Sequence, residues 1–521
     1  MNGLDYVIVV VYSLGFILLG YFFRGKKNKA EYFLGGKSFG WLPLGLSVMA
    51  TQLSAISFIS APAFVGLRPG GGMQWLSFEF GVPLAMIFLS VFLLPFLYRA
   101  GVVSIYEYLE RRFGRSTRLL ISIVFQVSRS FGTAVMVYAV SLILMSILGI
   151  PFWQTILVIG VITVIYSYQG GMKAVVYGDM IQMIILFLGI IICMVAGLNK
   201  IGGWSELVAT VDTARLNAVN FEVLGVGGDG EYGFFPMMIG GFFLYASYYG
   251  TDQSQVQRLL SAKDLPTVQR TLLFNGLMRF PVTLTYCIMG LIIGTFAMSN
   301  TAFLGEIPAD RVDLMIPVFI RDYLPHGIIG LIIVAILSAA MSSLSSAINS
   351  LSAVTTEDIL VGNREVDEAT YARYSKGASL FWGAACILLA FFAGDIADTV
   401  IEAINKIGSV FYGPILATFI VAVGIRSIGA KAMNIGLLAG VGVNIYLWLG
   451  VGDDLFWFWW NFIGAAVSLG VAFGASRLMS EEVVANSGST GTLVVNRKHV
   501  LLLLLAFAVM VGISLSILYL F

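Results

Sequence analysis

From Ser338 to Ser350 the chain reads Ser-Ala-Ala-Met-Ser-Ser-Leu-Ser-Ser-Ala-Ile-Asn-Ser. Ser338, Ser342, Ser345, Ser346 and Asn349 recur at three- and four-residue steps, which on a helix is one face. A row of uncharged oxygens suits a hard cation such as sodium, by the preference that gives calcium and magnesium oxygen ligands. The same row also suits hydrogen bonding between packed membrane helices. Two other apolar stretches are interrupted. Leu46-Ser-Val-Met-Ala-Thr-Gln-Leu-Ser-Ala-Ile-Ser57 turns small and polar in mid-span, and Gly240-Gly241 precedes Tyr245, Ser247, Tyr248, Tyr249 and Gly250. Paired interruptions predict unwound backbone at a midplane ligand site; close packing through small residues is the alternative.

Ionisable residues inside apolar spans mark function by default, because each is costly to bury unpaired. They are Glu79, Arg129, Asp179, Arg279 and Lys406. Asp179 and Arg279 stand near enough to span ends to snorkel toward the interface. Glu79 and Arg129 fall closer to mid-span, where either a structural ion pair or contact with a solute accounts for them.

The elements that position these residues follow from composition. Of 521 residues, 58% are hydrophobic and 11% charged, and the mean hydropathy is +0.91. A soluble domain carries about 25% charge, so lipid must solvate most of this chain. Segments of about 20 apolar residues cross a bilayer. Candidates are 5–23, 40–67, 72–97, 117–148, 152–169, 174–199, 232–253, 271–297, 326–360, 374–394, 398–424, 432–450, 455–476 and 500–520. Runs this long are helices, not barrel strands. The expectation is an all-α polytopic membrane protein with about 14 transmembrane helices.

With the N-terminus outside, 22 of the 30 Lys and Arg residues fall in inner loops, five in outer loops (Arg68, Lys200, Arg215, Arg311, Arg321) and three within spans. That bias sets both termini outside. Residues 1–39 form an extra helix and inner loop, 200–231 an outer loop, 425–476 two accessory helices, 477–499 an inner linker and 500–521 a last helix. The first span has no cleavage-site pattern and reads as retained. Cys193, Cys287 and Cys386 lie in apolar runs without metal-ligand spacing, and His326 and His499 form no cluster. The net charge of +1 points to no nucleic-acid partner, and nothing calls for an obligate protein partner. No nucleophile–His pair or phosphate-binding loop suggests an enzyme.

Four stretches resemble the sodium/solute symporter family, which includes sodium–sugar, sialic acid, proline and multivitamin symporters. They are Ser47-Val-Met-Ala-Thr-Gln-Leu-Ser54, Gly170-Gly-Met-Lys-Ala-Val-Val-Tyr-Gly-Asp-Met-Ile-Gln182, Asp252-Gln-Ser-Gln-Val-Gln-Arg258 and the 338–350 serine run. The resemblance covers about residues 5–480. It implies a LeuT-type fold with two five-helix inverted repeats at 40–199 and 232–424. It also implies sodium-coupled uptake of a small polar organic solute by alternating access. The main sodium site would fall on the carbonyls of Ala50, Leu53 and Ala339 and the hydroxyls of Ser342 and Ser343. A second site, present in some relatives, would use Asp179, Ser342, Ser345 and Ser346, giving one or two sodium ions per cycle. Gln52, Ser54, Ser57, Glu79 and Tyr248 would line the solute cavity. Arg129 is on the helix from which the sialic acid branch holds a carboxylate, about one turn earlier by ungapped counting. A sugar, a zwitterion and a monocarboxylate all stay open as solute. A sensor or uncoupled permease of the same fold, and an ion channel, are the other functional readings.

Overall fold

The computed structural model describes the whole chain except residues 1, 25–28, 54, 229, 310, 394–399, 480–492 and 521. Among the described residues its regular structure is helical, with two isolated bridges (Phe39–Ala262 and Val226–Leu455) and no strand. Its main elements are α1 (Gly3–Phe22), α2 (Trp41–Gln52), α3 (Ala55–Gly66), α4 (Met73–Ala100), α5 (Tyr106–Phe113), α6 (Arg115–Leu148) and α7 (Phe152–Ile201). They continue with α8 (Phe234–Thr251), α9 (Gln253–Leu260), α10 (Leu265–Ser299), α11 (Ile328–Val354), α12 (Glu368–Phe391) and α13 (Val400–Gly424). The last are α14 (Ala430–Tyr446), α15 (Phe458–Leu478) and α16 (Arg497–Leu520).

Eleven described helices are long and apolar enough to cross a membrane, or twelve if the bent α2–α3 pair is one span. The sequence count of fourteen differs in part because α7 is assigned as one 50-residue helix. At 1.5 Å per residue that is about 75 Å, more than twice a hydrocarbon core. Gly171 resolves this. Its φ of 55° and ψ of −150° lie outside helical geometry, and a Cβ placed on Gly178 would lie 3.8 Å from the Tyr166 ring. The chain therefore doubles back at Gly171. A side chain there would also meet the Tyr32 carbonyl oxygen at 2.7 Å, so both conformation and space require glycine. The tyrosine-rich second half of α8 keeps that helix below the apolarity of the others.

Burial sorts the helices. In α11 and its π-helical extension to Val361, 89% of the spanning window is inside the protein, and in α10 78%, against 17% for α1 and 22% for α14 and α16. The serine-bearing helix is thus the core of the bundle. The peripheral helices present Val11, Phe22, Leu449, Leu501 and Leu505 outward, as lipid-facing helices do. The last helix is seated by Leu503, Met510 and Ile517, which are buried.

The break expected at Gly240-Gly241 is not there: α8 runs unbroken to Thr251. A Cβ on Gly240 would lie 2.4 Å from the Phe458 carbonyl oxygen, and one on Gly81 would lie 2.4 Å from the backbone of Gly241 and Phe242. The two glycines let α4 and α15 approach, which is the small-residue packing of membrane helices. The real break follows at Asp252, whose extended backbone (φ −83°, ψ 120°) separates α8 from α9.

Candidate ion and solute site

Two broken helices and one continuous helix meet at the centre. α2 ends at Leu53 (φ −79°, ψ 88°), and the chain resumes at an angle of 58° in α3. The final turn of a helix leaves its carbonyls without onward partners, and Ala50 and Leu53 belong to that turn. Thr51 ties it to α11, its hydroxyl lying 3.3 Å from Ser346 Oγ. Ala339, Ser342, Ser343, Ser345 and Ser346 are all buried on the facing stretch of α11. Ser54 lies outside the described residues, and Ser57 is half-buried in the first turns of α3.

The serine face of α11 is divided among several partners. Ser338 donates to Tyr12 Oη of α1 at 2.7 Å, and Gln257 of α9 donates to Asn349 Oδ1 at 2.7 Å. Ser345 and Ser346 donate back to the Ser342 carbonyl at 3.0 and 2.6 Å. Ser342 donates to Asp179 Oδ1 at 2.7 Å. Because its proton is committed to the carboxylate, the lone pairs of Ser342 Oγ are left to accept. Ser343 differs from its neighbours. Its hydroxyl is buried and has no hydrogen-bond partner.

Asp179 and Arg258 are where sequence position misled. Asp179 does not snorkel, and Arg258 is not in a solvated inner loop. The two side chains are 0% and 1% exposed and meet at 2.9 Å between Arg258 Nη2 and Asp179 Oδ2. Ser47 Oγ donates to the same carboxylate oxygen at 2.6 Å and accepts from Arg258 Nε at 2.8 Å. Arg258 also donates to Ser346 Oγ and to the Ser254 carbonyl. The structure therefore brings Asp179, Ser342, Ser345 and Ser346 together, with a guanidinium bonded to two of the four.

Arg279 does not snorkel either. It makes a two-pronged pair with Glu79, Nη2–Oε1 at 2.6 Å and Nε–Oε2 at 3.0 Å, and Thr283 donates to Oε1 at 2.9 Å. Both oxygens of Glu79 are thereby used by α10, and Glu79 is absent from the cavity wall that sequence reasoning gave it. Its partner is Arg279, not Arg129.

A cavity of about 140 Å³ lies between α2, α6, α8, α11 and α13, lined among others by Gln52, Arg129, Tyr248, Asp252, Ser343 and Tyr412. Gln52 accepts from Tyr249 Oη. Among the described residues lining the cavity, Arg129 and Asp252 are the base and the acid. Arg129 Nη1 lies 3.7 Å from Asp252 Oδ2, beyond hydrogen-bonding distance, and Arg129 Nε is buried without a partner. Asp252 is fixed as the N-cap of α9, Oδ1 accepting from the Ser254 amide at 2.8 Å and from its hydroxyl. Asp252 and Arg258 were visible in the motif at 252–258, yet neither stood out: one read as the end of a span, the other as an inner-loop charge.

The carbonyl-bearing break, the hydroxyls facing it and the adjoining polar cavity are the parts of an ion-coupled carrier, and comparison with known proteins agrees. A model of the sodium:solute symporter family matches residues 32–440. This chain belongs to that family. It is 29% identical to the human sodium/iodide cotransporter over 83% of this chain and 66% of that protein. It is 30% identical to the mouse sodium-coupled monocarboxylate transporter 1 (87% and 74%) and to a putative sodium-dependent multivitamin transporter of Drosophila melanogaster (87% and 76%). The solved structure of a Na⁺-coupled sialic acid symporter, substrate-bound and outward-open, superposes with a TM-score of 0.82 at 25% identity, covering 93% of this chain and all of that one. Mhp1, a nucleobase-cation-symport-1 family transporter in a closed conformation, superposes at 0.57 with 13% identity, over 89% of this chain and 98% of that one, and shows the fold alone. The symporter family thus accounts for the architecture, a LeuT-type fold. The chain is a multi-pass membrane transporter that couples sodium to solute uptake, not an enzyme.

Proposed function

We propose that the solute is a small monovalent organic anion of the monocarboxylate class, carried inward with sodium by alternating access. Arg129 would hold the carboxylate, Gln52 and Tyr248 would flank it, and the carbonyls of Ala50, Leu53 and Ala339 with the hydroxyls of Ser342 and Ser343 would hold sodium. One observation carries the proposal: Arg129 Nε and Ser343 Oγ, two buried polar atoms without partners, belong to residues lining one cavity. A buried donor or acceptor left unmade costs about 1–3 kcal/mol, so such atoms point to what binds there. Relatives named for iodide and for monocarboxylates support a monovalent anion.

Sodium at the α2–α11 contact would bridge a broken helix and the core helix, favouring the conformation in which that contact is complete. The solute then binds the selected state more tightly, and linkage makes the effect reciprocal. Asp179 takes part indirectly, since it holds the Ser342 proton away from the ion. The Asp179, Ser345 and Ser346 set would accept a second sodium only by displacing Arg258. Inverted repeats at 40–199 and 232–424, a cell-membrane location and both termini outside complete the proposal.

Ser343→Ala is the direct test. Its buried hydroxyl makes no protein hydrogen bond, so without sodium the variant should be at least as stable as the parent, removal of an unsatisfied group relieving up to about 1–3 kcal/mol. The sodium concentration for half-maximal stabilisation should rise at least about tenfold, the loss of about 1.4 kcal/mol. Lactate, nicotinate and iodide should stabilise the parent in sodium and not in potassium. Unchanged sodium dependence in the variant would remove Ser343 from the ion site, and stabilisation by glucose instead of the anions would overturn the solute class.

A further inference from the structure

Among the described residues lining the central cavity, one arginine and one aspartate form an ion pair too long for a hydrogen bond. The positive charge that would attract an anion is therefore already offset. Empty, the pair sums to zero. An anion alone leaves the pair with one net negative charge beside it, and sodium alone leaves one net positive charge. Only joint occupancy returns it to neutrality.

From this arithmetic we infer that Asp252 makes solute binding depend on sodium, by cancelling Arg129 until the ion supplies the missing charge. The inference rests on the proposed anion and sodium sites. Its geometry suits a fixed offset. Asp252 cannot swing away without uncapping α9, because Oδ1 is engaged by the amide and hydroxyl of Ser254. Oδ2 remains directed at Arg129, at a separation that leaves the guanidinium able to take a carboxylate from the cavity. Ser343, a proposed sodium ligand, lines the same cavity, so ion, solute, Arg129 and Asp252 interact at short range. Unit charges about 6 Å apart at an effective dielectric of about 20 change an affinity by about a hundredfold. The coupling needs no conformational signal between the sites, although alternating access would add to it.

Charge variants with opposite signs separate this from structural damage. Asp252→Asn leaves the cavity at +1 and Arg129→Gln leaves it at −1. Sodium affinity is measured first without solute, from the sodium dependence of thermal stability of the purified full chain in a potassium-balanced buffer. Asp252→Asn should weaken sodium at least about tenfold and Arg129→Gln should tighten it. The double variant should return to within about threefold of the parent. Radiolabelled lactate and iodide then report the other half: in potassium alone, Asp252→Asn should bind them at least about tenfold more tightly than the parent. Both single variants shifting sodium in the same direction, or neither shifting it, would overturn the inference. Opposite sodium shifts with no binding of either anion would uphold the charge offset and sink the proposed solute class instead.

Discussion

Glu79→Gln tests whether the one acid of α4 is a structural partner or a solute ligand. Glu79 is 1% exposed and Arg279 5%, and glutamine keeps the shape while removing the charge. Arg279 would then be buried uncompensated, with Nη1 already lacking a partner. Removing one member of a buried pair costs about 3–5 kcal/mol. The insertion cost of a lone charge at mid-membrane, about 2.5–3.5 kcal/mol, gives the same range. At about 2 °C per kcal/mol for larger domains, the melting temperature should fall by about 6 °C or more. The assay is the monodisperse fraction surviving a heating series in mild detergent, with solute affinity measured on the folded remainder. Arg279→Met should fall similarly, and the Glu79→Gln/Arg279→Met double variant should recover most of the loss, since replacing both partners removes the unpaired charge. Solute affinity should stay within about twofold. A Glu79→Gln protein of undiminished stability that no longer binds solute would refute the pair as structural and return Glu79 to the cavity.

Other outcomes are expected from the same structure. With Arg258 on Asp179, sodium binding should show a Hill coefficient near one, and Asp179→Asn should lower stability without changing it. A coefficient near two that falls to one in Asp179→Asn would show an ion displacing the guanidinium. Acid should loosen helix starts outside the membrane. Asp264 caps α10, and its hydrogen bonds to Thr267 hold its carboxyl below the usual value; Asp367 caps α12 through Thr370 in the same way. A depressed folded-state value means stability present above the unfolded value, about 3.9, and lost as pH falls through the folded one. Protection of the Thr267 and Thr370 amides, taken against the intrinsic exchange rate at each pH, should therefore fall below about pH 4, and protection that does not change with pH there would contradict the caps.

The residues themselves determined the solvent and the class of element. Long apolar runs with 11% charge leave no alternative to helices in lipid, and serine spacing on 338–350 placed oxygens on one face before any contact was known. The resemblance at four motifs then pointed to sodium. Tertiary structure decided the partners. Glu79 and Arg279 are 200 positions apart, and Asp179 and Arg258 are 79 apart; one sequence without its packing cannot say which buried acid meets which base. Position along the chain was a poor guide, because an arginine read into an inner loop is expected to reach water, yet Arg258 pairs with buried Asp179. The Gly240-Gly241 pair shows the same limit. Glycine permits both a break and a close approach, and only the neighbouring backbones of Gly81 and Phe458 select the second. What the sequence lacked was distance, and in a low-dielectric interior distance fixes whether a charge is paired, offset or left to receive a ligand.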